Sequence, residues 1–222
     1  MGRPNEEIKQ DIVDNLFWDS RIDPQDVEVK VNGGEVTLEG TVPTYIGKNA
    51  ARENAIMAEG VYKVNNNVKV LIPAEVTVPE DNEIKRRVSD LLLFNPIIDS
   101  TKIIVFVKDG EVTLEGNVST YLEKIEASTL PYNIIGVWNV IDRLTVVPTK
   151  AIGDEIIADQ IMAVFSRKAN INEELIEVRV NSGIVTLSGD VYDWLTYLDA
   201  ENIARYTAGV KEVQNQLEVV GQ

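Results

Sequence analysis

The 222-residue chain contains neither cysteine nor histidine. Their absence excludes disulfides, thiolate nucleophiles, the usual zinc sites and the commonest general base. No apolar run approaches the roughly 18 residues that mark a membrane-spanning helix. The acidic residues are not paired with any plausible base or nucleophile. We therefore expect no catalytic residue, no metal, no cofactor and no membrane span.

Basic residues are also scarce, because 21 Lys and Arg stand against 36 Asp and Glu and leave a formal net charge of −15. The acidic excess is spread evenly, so no segment could neutralise nucleic-acid phosphates, and we expect no nucleic-acid binding. Electrostatic docking on anionic lipid is disfavoured for the same reason. The only short basic run, Lys85, Arg86 and Arg87, is either a partner contact or, as we favour, the solvated face of a helix.

The first residues, MGRPNEEIKQ, lack the apolar stretch of a signal peptide. As written, the sequence therefore predicts a cytoplasmic location. A periplasmic location is the alternative if a leader has been removed.

Two sequence blocks each occur three times. The first reads GGEVTLEGTV, DGEVTLEGNV and SGIVTLSGDV, starting at residues 33, 109 and 182. The second reads GVYKVNNNVKV, GVWNVIDRLTV and GVKEVQNQLEV, starting at residues 60, 136 and 209. Because both blocks recur with the same two offsets, they indicate three tandem copies of one module. We expect these domains to span residues 1–73, 79–148 and 152–222.

Each copy predicts the element order α-β-β-α-β. The opening helix is amphipathic, and in the first copy its apolar face is read as Ile8, Ile12, Val13, Leu16 and Phe17. Two alternating strands follow, joined by a two-residue turn with glycine where positive φ is needed. A second helix and a third strand complete the copy. The fold class is thus α+β, with a three-stranded sheet in each module and two helices on one face.

The second helices are expected over about residues 44–59, 120–134 and 194–207. Pro131 falls inside the middle one and should kink or shorten it, because proline removes a backbone donor. Gly60, Gly136 and Gly209 are read as the C′ residues that close these helices.

The pattern of opening helix, G-x-V-T-L-x-G-x-V hairpin, alanine-bearing helix and G-V-x-x-V strand resembles the BON domain, named for bacterial osmotically induced and nodulation proteins. The resemblance covers nearly the whole chain three times. It implies a non-catalytic, stress-related binding protein that engages a phospholipid surface or an envelope component. The alternatives are a multivalent protein–protein scaffold and a sensor of small cations such as K⁺. A homo-oligomer is left open.

An aromatic residue recurs just after each hairpin, at Tyr45, Tyr121 and Trp194. These side chains are read either as contacts for a partner or lipid headgroup or, as favoured, as helix-start residues packed over the sheet edge. Trp18 and Trp138 break the repeat pattern, so the architecture does not demand them. They are therefore the stronger candidates for contacts with a partner.

One polar residue interrupts the apolar face of each third strand, at Asn66, Asp142 and Asn215. One interpretation is coordination of a cation by side-chain oxygens. The other is a side chain that bonds backbone groups at a neighbouring turn. The second is favoured, because one such group per module supplies too few ligands for Ca²⁺.

Overall fold

The structure, a computed structural model, describes residues 3–220. Over that range it contains six α-helices and three separate sheets, and the predicted α+β fold with three α-β-β-α-β repeats is confirmed. The first repeat consists of α1 (Asn5–Trp18), β1 (Val27–Asn32), β2 (Glu35–Val42), α2 (Tyr45–Ile56), β3 (Lys63–Asn66) and β4 (Lys69–Val70). The second consists of α3 (Asp81–Phe94), β5 (Ile103–Lys108), β6 (Glu111–Val118), α4 (Tyr121–Thr129) and β7 (Asn139–Val146). The third consists of α5 (Asp154–Phe165), β8 (Ile176–Asn181), β9 (Ile184–Val191), α6 (Trp194–Tyr206) and β10 (Glu212–Val219).

In each repeat the second strand lies in the centre of the sheet. It is antiparallel to the first strand, which reaches it through a hairpin. In the first two repeats it is parallel to the third strand, which follows a helical crossover. The third strand of the first repeat is split into β3 and β4, and both parts pair with β2. The first strand of each repeat is consequently an edge of its sheet.

Alternation along the strands buries one face of each sheet beneath the helices. In the first repeat Val29, Val36 and Leu38 are buried, and they share a core with α1. Ile8, Ile12 and Leu16 supply the helical side of that core, as the periodicity predicted. Phe17 does not, because α1 ends one residue later and the ring points into solvent. Its assignment to the buried face was wrong.

The two-residue hairpin turns require left-handed backbone, as predicted. Gly33 and Gly34 have φ of 58° and 86°. In the other repeats the first of these positions is held by Asp109 at φ 52° and by Ser182 at φ 54°. Aspartate adopts this conformation more readily than most residues, and the turn holds Ser182 in it as well.

A second glycine position is required by a close backbone approach. A Cβ added to Gly40 would lie 2.0 Å from the carbonyl oxygen of Asp26, and the residue has φ of 129°. A Cβ added to Gly116 or to Gly189 would lie at the same distance from a carbonyl oxygen of its own repeat. Only glycine lets the edge strand start this close to the central strand.

The second helices of the first two repeats end earlier than the sequence predicted, whereas α6 ends close to its expected end. The helix α2 stops at Ile56, so Gly60 follows an intervening turn and is not the C′ residue. In the second repeat α4 is nine residues long and passes at Leu130 into a 3₁₀ turn that contains Pro131. The predicted shortening at Pro131 is confirmed.

The chain divides into two compact units. One runs to Val76 and takes in Asp190–Leu198 and the chain from Glu218. The other holds Thr77–Gly189 and Asp199–Leu217. The start of α6, in the third repeat, therefore belongs to the same unit as the first repeat.

Candidate functional site

The end of α1 presents two adjacent aromatic side chains to solvent. Trp18 is 83% exposed, and Phe17 is also exposed. Their rings meet edge to face with centroids 5.3 Å apart. The helix ends here because Asp19 adopts an extended conformation. The aromatic pair thus stands at the last turn of a helix, where the core no longer covers it.

The second repeat carries an apolar pair at the same position. Phe94, the last residue of α3, is 79% exposed, and Leu93 beside it is exposed as well. Phe94 also lines a cavity of about 450 Å³ together with Ile135 and Arg87. A wide apolar recess, bordered by the guanidinium group of Arg87, therefore lies beside the end of α3.

The third repeat lacks this feature. The positions that correspond to the exposed pairs are Ser166 and Arg167, which follow the last residue of α5. The Nε of Arg167 donates to the carbonyl oxygen of Ala163 at 2.7 Å. Two of the three repeats therefore expose an apolar pair that the shared fold does not require. We call these two pairs the helix tips: Phe17 with Trp18, and Leu93 with Phe94.

Sequence reasoning selected Trp18 and missed the rest of the helix tips. Phe17 was assigned to the core, and Leu93 and Phe94 were not singled out. The signal was nevertheless present in the sequence. Aligning the repeats places Ser166 and Arg167 opposite four apolar side chains, so the position cannot belong to the common core.

The three recurring helix-start aromatics lie in different surroundings. Tyr45 is partly buried. Tyr121 is buried and hydrogen-bonds the backbone of Val213, and burial raises the pKa of its hydroxyl. Trp194 is partly buried and packs against the core of the first repeat.

The Trp194 ring also meets the Tyr197 ring edge to face with centroids 5.0 Å apart, and it lies beside Arg52. The guanidinium carbon of Arg52 lies 5.7 Å from its centroid. Its Nε1 is buried without a hydrogen-bond partner among residues 3–220. Tyr121 and Trp194 thus make contacts within the chain, and neither presents a free surface comparable to Trp18.

Trp138 is half-exposed and lies on the hairpin of its own repeat. Its Nε1 donates to the carbonyl oxygen of Asp109 at 2.8 Å. The ring also approaches Gly110, where an added Cβ would lie 3.1 Å from the Trp138 Cδ1. One edge of this side chain therefore supports the turn, while the remainder stays accessible.

The basic run is mostly neutralised by acids on the same helix. Arg86 pairs with Glu83 at 2.7 Å and with Asp90 at 3.0 Å. Arg87 pairs with Glu83 at 2.8 Å. The Arg86 and Arg87 guanidinium groups lower the pKa of the Glu83 carboxyl to about 2. Lys85 alone has no acidic partner in the described part of the chain, and its Nζ lies 5.8 Å from the ring centroid of Phe106.

The polar residues of the third strands form a backbone motif. Each accepts a hydrogen bond from the backbone N–H two residues later, and the distances for Asn66, Asp142 and Asn215 are 3.2, 2.8 and 3.1 Å. These side chains therefore bond backbone groups, as the structural interpretation expected, but the bonded N–H lies two residues further along the same segment and not at a neighbouring turn. Between residues 3 and 220 no group of three or more acidic residues could hold a metal ion.

No helix within residues 3–220 is long and apolar enough to cross a membrane.

Fold and surface together define a class: a tandem-repeat α+β protein with exposed apolar helix tips. The family model described as the BON domain matches residues 4–71, 80–148 and 153–221. The chain therefore belongs to the BON-domain family.

Two relatives resemble more than half of the chain. Osmotically-inducible protein Y of Escherichia coli (strain K12) is 31% identical over 144 residues, which cover 62% of this chain and 72% of that protein. The 21 kDa hemolysin of Actinobacillus pleuropneumoniae is 27% identical over 139 residues, which cover 62% and 71%. The solved structure of CdsD, a structural protein of the type III secretion system of Chlamydia trachomatis, aligns over 97% of this chain and 93% of that one. Its TM-score of 0.28 and identity of 15% are too low to support an inference.

Proposed function

We propose that this chain is a non-catalytic, stress-related binding protein whose helix tips engage a phospholipid surface. The exposure of two apolar pairs at equivalent helix ends is the observation that carries the proposal. Membership of the BON family and similarity to an osmotically inducible protein support the stress-related role. The compartment and the domain boundaries given above stay predictions.

The chemistry of the helix tips suits the boundary between lipid headgroups and acyl chains. Tryptophan and phenylalanine bury apolar area there, and the indole N–H of Trp18 can donate a hydrogen bond to a headgroup. Burying one such side chain contributes about 1.5–3 kcal/mol. With a net charge of −15, the chain cannot rely on attraction to anionic headgroups. Binding should therefore rest on apolar burial, survive high salt and favour zwitterionic over strongly anionic vesicles.

The third repeat provides the substitutions for a test. We expect wild-type protein to co-sediment with phosphatidylcholine vesicles. Replacing either tip by its third-repeat counterpart, F17S/W18R or L93S/F94R, should weaken binding, because each change removes two apolar groups. The quadruple variant F17S/W18R/L93S/F94R should bind about tenfold more weakly than wild type, or worse.

Tyr206→Ser is the matched control, since Tyr206 is an exposed aromatic residue at the end of another helix, α6. It should leave co-sedimentation unchanged. If wild-type protein pelleted with neither phosphatidylcholine nor anionic vesicles, the phospholipid proposal would be refuted. If the quadruple variant bound as well as wild-type protein, the role of the helix tips would be refuted.

A further inference from the structure

The edge strand that opens the second sheet lacks charges found on its counterparts. Ile104 is 57% exposed and Phe106 is 49% exposed on β5, which lies at the edge of its sheet. The residues at the same positions of β1 and β8 are all charged: Glu28, Lys30, Glu177 and Arg179. Natural sheets commonly protect their edge strands with charges, because an unpaired edge can bind another strand. The fold thus accepts charges at these positions, and among the three first strands only β5 carries apolar residues there.

The hairpin fixes which backbone groups of β5 face the open edge. Its turn has two residues, so Lys108 and Glu111, which flank the turn, form a hydrogen-bonded pair. Such pairs recur at every second residue, so Ile104 and Phe106 also direct their N–H and C=O groups to β6. The alternate residues of β5 direct theirs away from β6: Ile103, Val105 and Val107. In the described part of the chain β5 pairs with β6 alone, so no strand bonds these outward groups.

The charges beside β5 are of both signs, although the chain as a whole is strongly acidic. Lys102 forms a salt bridge with Asp99 at 2.7 Å. Lys108 is in register with Glu111 and precedes Asp109. Other charged side chains near the strand are again mixed: Lys85, Glu115 and Arg143. The mixture favours neither a strongly acidic nor a strongly basic segment, whereas a second copy of β5 brings the same mixture to the interface.

We propose that β5 is a self-association site, at which two copies of the chain pair antiparallel about a two-fold axis at Val105. In this register Val105 lies opposite Val105 of the second copy, and Ile103 lies opposite Val107. All of these are residues with outward backbone groups, and each antiparallel pair of this kind exchanges two hydrogen bonds. The two-fold axis therefore satisfies the outward groups of both strands with one identical surface, as an isologous dimer requires.

The same axis makes the exposed apolar side chains cover one another. Ile104 of each copy lies opposite Phe106 of the other, at positions that are not hydrogen-bonded and where side chains approach most closely. At the ends of the strand pair Lys102 meets Lys108 of the other copy, and facing like charges destabilise a pair. The carboxylates beside these lysines, Asp99 and Glu111, offset that cost. Backbone pairing and apolar burial thus supply the affinity.

The test is the oligomeric state of the full chain, measured by sedimentation velocity without vesicles. We expect a reversible monomer–dimer equilibrium with a Kd of about 10–100 μM, because one strand pair gives a small interface. Dimerisation should strengthen as salt is raised, since copies that each carry a net charge of −15 repel one another. A chain that stayed monomeric up to about 1 mM would overturn the proposal.

Variants then locate the interface. I104E/F106K copies the residues of β1, so the fold should accept it, and it should raise the Kd by about tenfold or more. Val107→Pro removes one outward N–H but keeps both exposed apolar side chains, and it should weaken dimerisation by a similar factor. Val180→Pro makes the same change at the corresponding position of β8 and should leave the equilibrium unchanged. Far-UV circular dichroism checks that each variant is folded.

Three results would contradict the pairing. Equal dimerisation by I104E/F106K would exclude β5 from the interface. Equal dimerisation by a folded V107P would show that the faces of the sheets associate and not their edges. Loss of the dimer in the quadruple helix-tip variant would assign self-association to the tips. Because the vesicle experiment depends on residues outside β5, either proposal can fail while the other stands.

Discussion

At the residue scale, Asp19 is held by two neighbours just after α1. The Arg21 guanidinium donates to both carboxylate oxygens, with Nε 2.9 Å from Oδ1 and Nη2 2.7 Å from Oδ2. The Asn54 side-chain amide donates to Oδ2 at 2.6 Å. Arg21 therefore holds the pKa of the Asp19 carboxyl well below its ordinary value of 3.8. This cluster sits beside Trp18 and ties the end of α1 to α2.

A lowered pKa in the folded state makes stability depend on pH with a definite sign. The contribution of Asp19 is fully present above the unfolded-state value near 3.8 and is lost as pH falls through the lower folded-state pKa. Asp19→Asn should lower the free energy of unfolding by about 1–2 kcal/mol at pH 7. The difference from wild type should shrink below about pH 4. Urea unfolding at pH 7, 5, 4 and 3 measures it.

Glu83→Gln is the comparison, because Glu83 also has a lowered pKa but lies in an exposed helical network. Solvent screens such pairs, so its effect should be smaller than that of Asp19→Asn. A difference for Asp19→Asn that stayed constant from pH 7 to pH 3 would contradict the assigned role of its charge.

At the scale of elements, an acidic side chain joins the first helix of a repeat to the hairpin. The Asp154 carboxylate accepts from the backbone N–H of Ser182 at 2.7 Å and of Gly183 at 2.9 Å. Asp81 binds the second hairpin in the same way. In the first repeat Asn5 makes one such bond, to Gly33. The turn and the helix start therefore stabilise one another.

Removing this link should loosen the hairpin. Asp154→Ala leaves two turn amides without their acceptor and should lower the free energy of unfolding by about 1–3 kcal/mol. Asp154→Asn should retain part of the stability, as Asn5 does in the first repeat. Hydrogen exchange at Ser182 and Gly183 should accelerate in both variants. Asp159→Ala, at an exposed position on the same helix, serves as the control, and equal effects of D154A and D159A would rule the link out.

At the scale of the whole molecule, a residue of the third repeat stabilises the first. Trp194 lies in the same compact unit as the first repeat and packs against its core. Trp194→Ala should therefore remove about 1–3 kcal/mol from that unit, because the ring is only partly buried. Hydrogen exchange measured by mass spectrometry should show reduced protection of Val36 and Leu38. Val112 and Leu114 of the second repeat should change less.

The corresponding experiment on Trp138 provides the control. Trp138→Ala removes a similar ring, whose hydrogen bond to Asp109 and contact with Gly110 both lie in the hairpin of its own repeat. It should leave Val36 and Leu38 protected. Unchanged protection of these residues in W194A would show that the core of the first repeat does not depend on Trp194.

Much of each repeat could be predicted because local signals and burial agree. The alternation in β2, the glycines of the turns and Pro131 act through backbone geometry over a few neighbouring residues. Periodicity failed at Phe17, because this residue still belongs to α1 but lies in its last turn, where the core no longer covers the helix. It also overlooked Leu93 and Phe94, since adjacent apolar residues at a helix end look like core.

The three repeats, their α+β fold and the absence of cysteine and histidine chemistry could all be read from the sequence, because they follow from composition and from contacts close along the chain. Which apolar side chains remain uncovered depends instead on tertiary packing. Trp18 and Phe94 are exposed and Trp194 is partly covered, although all three are large apolar residues near helix ends. Their exposure depends on which distant segments pack over them. The residues next to each one in the sequence carry no information about that packing, although comparison of the three repeats shows that the tip positions lie outside the common core.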